Sequence, residues 1–200
     1  MGARLSILPD PLFAGLNGAL TERLGRVAAT VQPDNLGSLL DPLMRQVLEE
    51  GFAEARAHEG TVWLLDASEE NLVPAYNTGP NAEQIVGKFR QPLSSGLICM
   101  VFATEQAFLE NDVPGNTQQS KRLDEMLGWQ TLALIAVPFS FLKSCRGVVS
   151  CVQLKRPGAP SPDSPGFQPA HLARVQRTAT VLSRLLELRL LSDTVGWKSE

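Results

Sequence analysis

The sequence predicts an α+β fold in two layers, an antiparallel sheet with helices packed on it. Three observations carry that prediction. Apolar residues recur at helical spacing up to about His58, and from Gly60 the spacing becomes that of strands. Thr131 to Phe141 is apolar on both alternating sets of positions, so both faces of the sheet must be covered there. Residues from about Gln168 to Asp193 form a helix whose apolar girdle is wider than one sheet face requires.

Asp10-Pro11 reads as a helix start, with Leu12, Leu16, Leu20, Leu24, Val27 and Val31 following at helical spacing. Gln32-Pro33-Asp34-Asn35 breaks that helix. Asp41-Pro42 repeats the start signal, and Leu43, Val47, Leu48 and Phe52 stripe a second helix that ends near His58-Glu59-Gly60. Residues 1–33 therefore read as a helical arm, 34–193 as the domain, and 194–200 as a tail.

Strands follow over Thr61 to Asp66 and Leu72 to Asn77, where Pro74 suggests an edge position. A third strand is expected over Lys88 to Leu93. Ser94-Ser95-Gly96 opens a short helix, Leu97 to Thr104, and Ala107 to Asn111 forms a fourth strand. Asp112 to Ser120, with Pro114-Gly115, reads as a mobile loop. A short helix spans Lys121 to Leu127. The strand from Thr131 turns at Lys143 to Arg146 and returns over Gly147 to Lys155, before a Pro- and Ser-rich surface loop, Arg156 to Gly166.

Composition excludes several function classes. With 200 residues, 44% of them hydrophobic and 20% charged, the chain suits one globular domain. A net charge of −3 provides no footprint for nucleic acid or an anionic membrane surface. No apolar run approaches a bilayer span, and Met1 to Leu8 does not resemble a signal peptide. Three cysteines, an odd number, and no Asn-x-Ser/Thr acceptor favour a reducing compartment, so the expected location is the cytoplasm.

Catalytic motifs are scarce. There is no Gly-x-Gly-x-x-Gly, phosphate loop or His-Glu-x-x-His. Ser140-Phe-Leu-Lys143 fits Ser-x-x-Lys but falls in a hairpin turn, where acyl-transfer chemistry has no buried helix to use. Cys99, Cys145 and Cys151 lack metal-ligand spacing. Cys99 and Cys151 read as small core hydrophobes. Cys145, beside Lys143 and Arg146, reads as the most reactive thiol if it is exposed. His58 and His171 lie at helix ends and read as surface residues. No metal and no cofactor is expected.

The segment from Phe89 to Trp129 mixes apolar and compact polar residues, as ligand pockets do. Phe89, Ser94, Ser95, Leu97, Ile98, Glu110, Asp112 and Trp129 are its candidate ligand-binding residues. Ser94-Ser95-Gly96 also places backbone amides at a helix N-terminus. The two serines either cap that helix alone or cap it and touch a ligand.

The order of these segments resembles the GAF domains. Leu39-Leu40-Asp41 through Gly60-Thr-Val-Trp-Leu-Leu-Asp66 looks like the first helix and strand of that family. Ser95-Gly96-Leu97, Val101, Thr104-Glu105-Gln106 and Asn111-Asp112 look like its central signature. Leu134-Ile-Ala-Val-Pro138, Arg146-Gly147-Val148-Val149 and Phe167 complete the order. The resemblance implies a PAS- and profilin-like antiparallel sheet of about six strands. The N- and C-terminal helices would lie on one face, and short helices and loops would form a pocket on the other. It also implies a homodimer through the terminal helices, with signalling to an output partner.

Departures narrow the function. The Asn-Lys-x-Phe-Asp-Glu signature of cyclic-nucleotide binders is absent. No cysteine has the neighbouring histidine that bilin attachment uses, and neither histidine falls in the expected pocket, as haem ligation would require. Free methionine sulfoxide reductases are the enzymatic branch. Cys99 falls one position out of step with one of their cysteines, and the loop Asp112 to Ser120 carries none. The expectation is a small-molecule-sensing regulatory domain without catalysis of its own. The alternatives are a ligand-free dimerisation scaffold and a thiol reductase.

Overall fold

A computed structural model describes residues 15–155 and 164–197. The elements run α1 (Asn17–Ala29), α2 (Leu36–Leu39), α3 (Pro42–Glu54), β1 (Glu59–Leu65), β2 (Asn71–Asn77), α4 (Ala82–Ile85) and β3 (Gln91–Pro92). They continue with α5 (Leu97–Thr104), β4 (Phe108–Glu110), a 3-10 turn (Val113–Gly115), α6 (Arg122–Leu127), β5 (Gln130–Phe141), β6 (Ser144–Lys155) and α7 (Pro169–Val195). The predicted helix start at Asp10-Pro11 and most of the loop Arg156 to Gly166 lie outside the described residues.

The second helix begins where its cap signal placed it. Asp41 accepts a hydrogen bond from the Met44 N–H at 2.8 Å, and Pro42 takes the first helical position, where a missing N–H costs nothing. α7 opens with a reciprocal cap. Gln168 accepts from the backbone of His171, whose Nδ1 accepts the Gln168 N–H at 3.1 Å.

Six strands form one antiparallel sheet in the order β3-β2-β1-β6-β5-β4. The β5–β6 hairpin is longer than expected, with twelve residues on each side. Its turn is Leu142-Lys143, both with positive φ (49° and 66°), the two-residue geometry that matches strand twist. Cys145 and Arg146 therefore belong to β6 and not to the turn. The third strand is shorter than predicted. Phe89 and Arg90 precede it, and only Gln91–Pro92 pairs with β2, because the Lys88 and Phe89 N–H groups bond back to the Ile85 carbonyl.

Each sheet face carries its own core. On one face Val62, Leu64, Ile135, Val137, Phe139, Val149 and Cys151 pack against Met44, Leu48 and Phe52 of α3 and Val175, Leu182 and Leu186 of α7. The end of α1 joins this core through buried Ala28, followed by Val31. On the other face Trp63, Ala136 and Val148 pack against Ile85, Phe89, Leu97 and Val101. On α7, Val175, Ala179, Leu182 and Leu186 recur at near-heptad spacing and face their own sheet. The surplus apolar surface lies elsewhere on that helix, at Val181, Leu188, Leu191 and Val195, which are exposed. Among the described residues no helix is long and apolar enough to cross a membrane.

Candidate functional site

Strand alternation sets the floor of the site. On β1, Glu59, Thr61 and Trp63 point away from the α7 side, and Ser150, Val152 and Leu154 of β6 do the same. Thr131 would point the other way on an unbroken strand. A register shift between Thr131 and Ala133 turns it onto the same face as Leu154, its partner across the ladder.

These residues floor a cavity of about 80 Å³. A single water needs roughly 10–15 Å³ on this measure, so several water-sized groups fit. Ile85, Phe89, Gly96, Leu97 and Ile98 wall one side. Gln119, Ser120, Leu123, Asp124, Leu127 and Trp129 wall the other.

The floor is polar and buried. The Trp63 Nε1–H donates to Ser150 Oγ at 2.9 Å, and Asn77 Nδ2 donates to Thr61 Oγ1 at 2.9 Å. Ser150 and Gln91 are each 3% exposed. Gln91 Nε2 donates to the Ser95 carbonyl at 2.9 Å and so shapes the entry to α5. The Glu59 carboxyl lies against Gly79, where an added Cβ would sit 2.2 Å from Cδ. Asp124 fastens α6 to the floor, accepting from the Thr131 N–H at 2.8 Å and its hydroxyl at 2.7 Å.

Four of the eight residues expected from the sequence line the cavity: Phe89, Leu97, Ile98 and Trp129. The other four do not. Ser94 and Ser95 are exposed, and neither caps α5. Its N-cap is Gly96, at φ 99°, with no side-chain cap bond. Both readings of the serines therefore give way to a glycine entry braced by Gln91. Glu110 accepts from the Asp112 N–H at 2.9 Å and from Asn116 Nδ2 at 2.8 Å. These bonds, the Asp112 N–H first, hold its carboxyl below the usual range. Asp112 caps the 3-10 turn by accepting from the Gly115 N–H. Both acids organise the loop after β4, outside the cavity wall.

Glu59, Thr61, Asn77, Gln91, Thr131 and Ser150 are among the lining residues that the sequence reading missed. Polar residues alternating through apolar strands, 59 and 61 before Trp63 and 150 before Val152, were the available signal.

The thiols lie apart from this chemistry. Burial pushes Cys99 up to about 12, and its Sγ donates to the Pro92 carbonyl at 3.3 Å. Cys151 is fully buried in the α7-side core, and its thiol is also raised by burial. Cys145 is half-buried, and burial raises its thiol too. The expected lowering by Lys143 and Arg146 does not appear among the influences on this thiol, of which burial is the largest. His58 Nδ1 accepts the Leu154 N–H at 2.9 Å, and neither histidine lines the cavity. Among the described residues no cluster of three or more His, Cys, Asp or Glu could hold a metal.

No protein-family model matches the sequence. Curated proteins show no match either. Solved structures do match in fold. The GAF domain of a phosphoenolpyruvate-protein phosphotransferase from Coxiella burnetii superposes with TM-score 0.61 at 18% identity, covering 90% of this chain and 95% of that one. A methyl-accepting chemotaxis protein segment gives 0.56 at 14% identity, covering 84% and 96%. A free methionine-R-sulfoxide reductase from Neisseria meningitidis, solved with its substrate, gives 0.55 at 17% identity, covering 92% and 95%. The chain has the fold of the GAF domains.

Proposed function

We propose that the chain is a regulatory domain that binds a small molecule in the cavity on the β1–β6 face and catalyses no reaction itself. One observation carries the reading, a partly open cavity whose floor holds buried polar side chains in an otherwise apolar interior. Burying Thr61, Ser150, Gln91 and Asn77 is costly unless their hydrogen-bonding capacity is used. A hydrogen-bonding small molecule uses what the internal bonds leave over. The shared fold with a chemotaxis protein segment and a phosphotransferase GAF domain supports a sensory role.

Binding acts by shifting helix packing in a homodimer built on the terminal helices, in the cytoplasm. The exposed residues Val181, Leu188 and Val195 recur every seven positions along α7, as a helix–helix seam requires, and support that assembly. A ligand shifts such an equilibrium only by its differential affinity for two states.

The reductase fold neighbour raises a catalytic alternative. Thiol chemistry needs an accessible thiolate. Here two thiols are buried, the third is raised by burial, and none lines the cavity. These observations favour the non-catalytic reading.

A thermal-shift screen of small metabolites tests the proposal. A ligand at a hundred times its Kd adds about 2.7 kcal/mol, a rise of roughly 5–10 °C for a domain of this size. Leu123→Trp, which fills the cavity from the α6 side, should abolish the shift. A hit unaffected by that variant, or no hit, would refute the pocket as the site.

A further inference from the structure

Asn77, Thr61 and Ser150 stand in one row across the floor of the cavity. The register pairs Asn77 with Thr61 and Thr61 with Ser150, so the row crosses β2, β1 and β6. All of them line the cavity, and Thr61 and Ser150 are only 7% and 3% exposed. Cross-strand neighbours on one face hold their Cβ atoms about 4.5–5.5 Å apart, which sets the Thr61 and Ser150 hydroxyls side by side.

Each of those hydroxyl oxygens already accepts a hydrogen bond. Thr61 Oγ1 accepts from Asn77 Nδ2, and Ser150 Oγ accepts from the Trp63 indole N–H, both at 2.9 Å. A hydroxyl also carries one proton of its own to donate. Neither proton has an acceptor among the described residues. The floor therefore holds two neighbouring, buried O–H donors that the protein's own bonds leave unused. The walls beside them, Ile85, Phe89, Leu97, Ile98, Leu123 and Leu127, are apolar.

We propose that the cavity takes an uncharged carbonyl compound, a small ketone, ester or amide with an apolar body, whose oxygen seats between the Thr61 and Ser150 hydroxyls. The proposal rests on the reading of this cavity as the ligand site. A carbonyl oxygen has two lone pairs and accepts from both hydroxyls at once. It satisfies donors that are costly to bury unpaired, while the apolar body packs between the walls. A carboxylate is disfavoured. No lysine, arginine or histidine among the described residues lines the cavity, so its charge would be buried without a counter-ion. The N-terminus of α5 reaches the wall at Gly96 and Leu97, and a helix end supplies only about half an elementary charge.

The test uses the full chain and probes matched in shape. Acetophenone is compared with α-methylstyrene, in which a CH2 group replaces the carbonyl oxygen, and benzamide with benzoate, by ligand-observed NMR. The expected result is that acetophenone and benzamide each bind about fivefold tighter or more than their matched probe. The carbonyl carbon of acetophenone, labelled with 13C, should move downfield on binding, as it does when the oxygen accepts hydrogen bonds. Ser150→Ala should erase most of acetophenone's advantage over the alkene. Thr61→Val is the second variant should S150A fail to fold, and the 13C shift with the unaltered chain needs neither. Leu123→Trp should remove binding altogether. Equal or tighter binding of the alkene or of benzoate, an unmoved 13C resonance, or an advantage that S150A and T61V leave intact, with binding still blocked by L123W, would overturn the carbonyl assignment and leave the pocket standing. Binding that L123W does not block, or no binding by any probe, would overturn both.

Discussion

Trp63 and Ser150, 87 positions apart in the chain, are joined by an indole N–H donating to a serine oxygen at 2.9 Å inside the cavity floor. The bond crosses the β1–β6 pair and ties the second half of the sheet to the first.

Ser150→Ala leaves the indole N–H buried without that acceptor and should cost about 1–3 kcal/mol in urea unfolding. Trp63→Phe removes the donor and also cavity-facing surface. The double variant should lose less than the sum of the singles, and a double-mutant cycle reads the difference. Additive losses would mean the bond contributes nothing.

α3 and α7 meet where a glycine accommodates a threonine. A Cβ on Gly51 would stand 2.1 Å from Thr178 Oγ1. Gly51→Ala should therefore destabilise the protein by about 1–3 kcal/mol despite its better helix propensity. Thr178→Ala should rescue it in part, since it removes Oγ1 and Cγ2 but leaves Cβ 2.9 Å away. Equal melting temperatures for Gly51→Ala with and without the second change would contradict this packing.

Alkaline stability should decline for a defined reason. Cys99 has its thiol raised from 9.0 to about 12 by burial, and Cys151 is raised further in the same direction. A raised thiol favours the folded state fully below its unfolded pKa. That contribution is lost as pH rises, because the unfolded chain releases its proton first. The melting temperature should fall from about pH 9 upward, and Cys99→Ala should flatten part of that slope. Thiol labelling of the native protein at pH 8 should reach Cys145 before the other two.

Asp66 gives the opposite sign. Burial pushes its carboxyl up, and hydrogen bonds from Asn71, Ser68 and Glu70 outweigh that and hold it below its ordinary value. Its contribution is present above the unfolded pKa and is lost as pH falls. Asp66→Ala should therefore lower stability at pH 7 and weaken its dependence on acid below about pH 4, as followed by circular dichroism.

The proposed dimer seam is open to substitution without cutting the helix. Deleting α7 would strip Val175, Leu182, Leu186 and Leu190 from the core and unfold the chain. Leu188→Glu with Val195→Glu alters residues that are 62% and 55% exposed, so the fold should survive. Light scattering should then report a monomer, and an unchanged dimer would place the interface elsewhere.

The α+β layering was readable because its signals are local. Asp41-Pro42 announces α3, and the doubly apolar run at Thr131 announces a strand covered on both faces. The site was readable only in its apolar half. Phe89, Leu97, Ile98 and Trp129 cluster within one stretch of chain, whereas the floor is assembled from β1, β2, β5 and β6 by pairing that no local pattern states. Thr131 needed a register shift to reach the cavity. Ser94 and Ser95 misled for a related reason, since the positive φ at Gly96 and the reach of Gln91 replace a serine cap.

Val149, Ser150 and Cys151 are consecutive residues of β6. The middle one faces the cavity, and its two neighbours belong to the core on which α7 rests. Consecutive Cα atoms are about 3.8 Å apart. The partition between what enters from one side and what is seated on the other is a single backbone thick. A movement imposed on Ser150 is passed directly to the footing of the long helix, with no linker between the two.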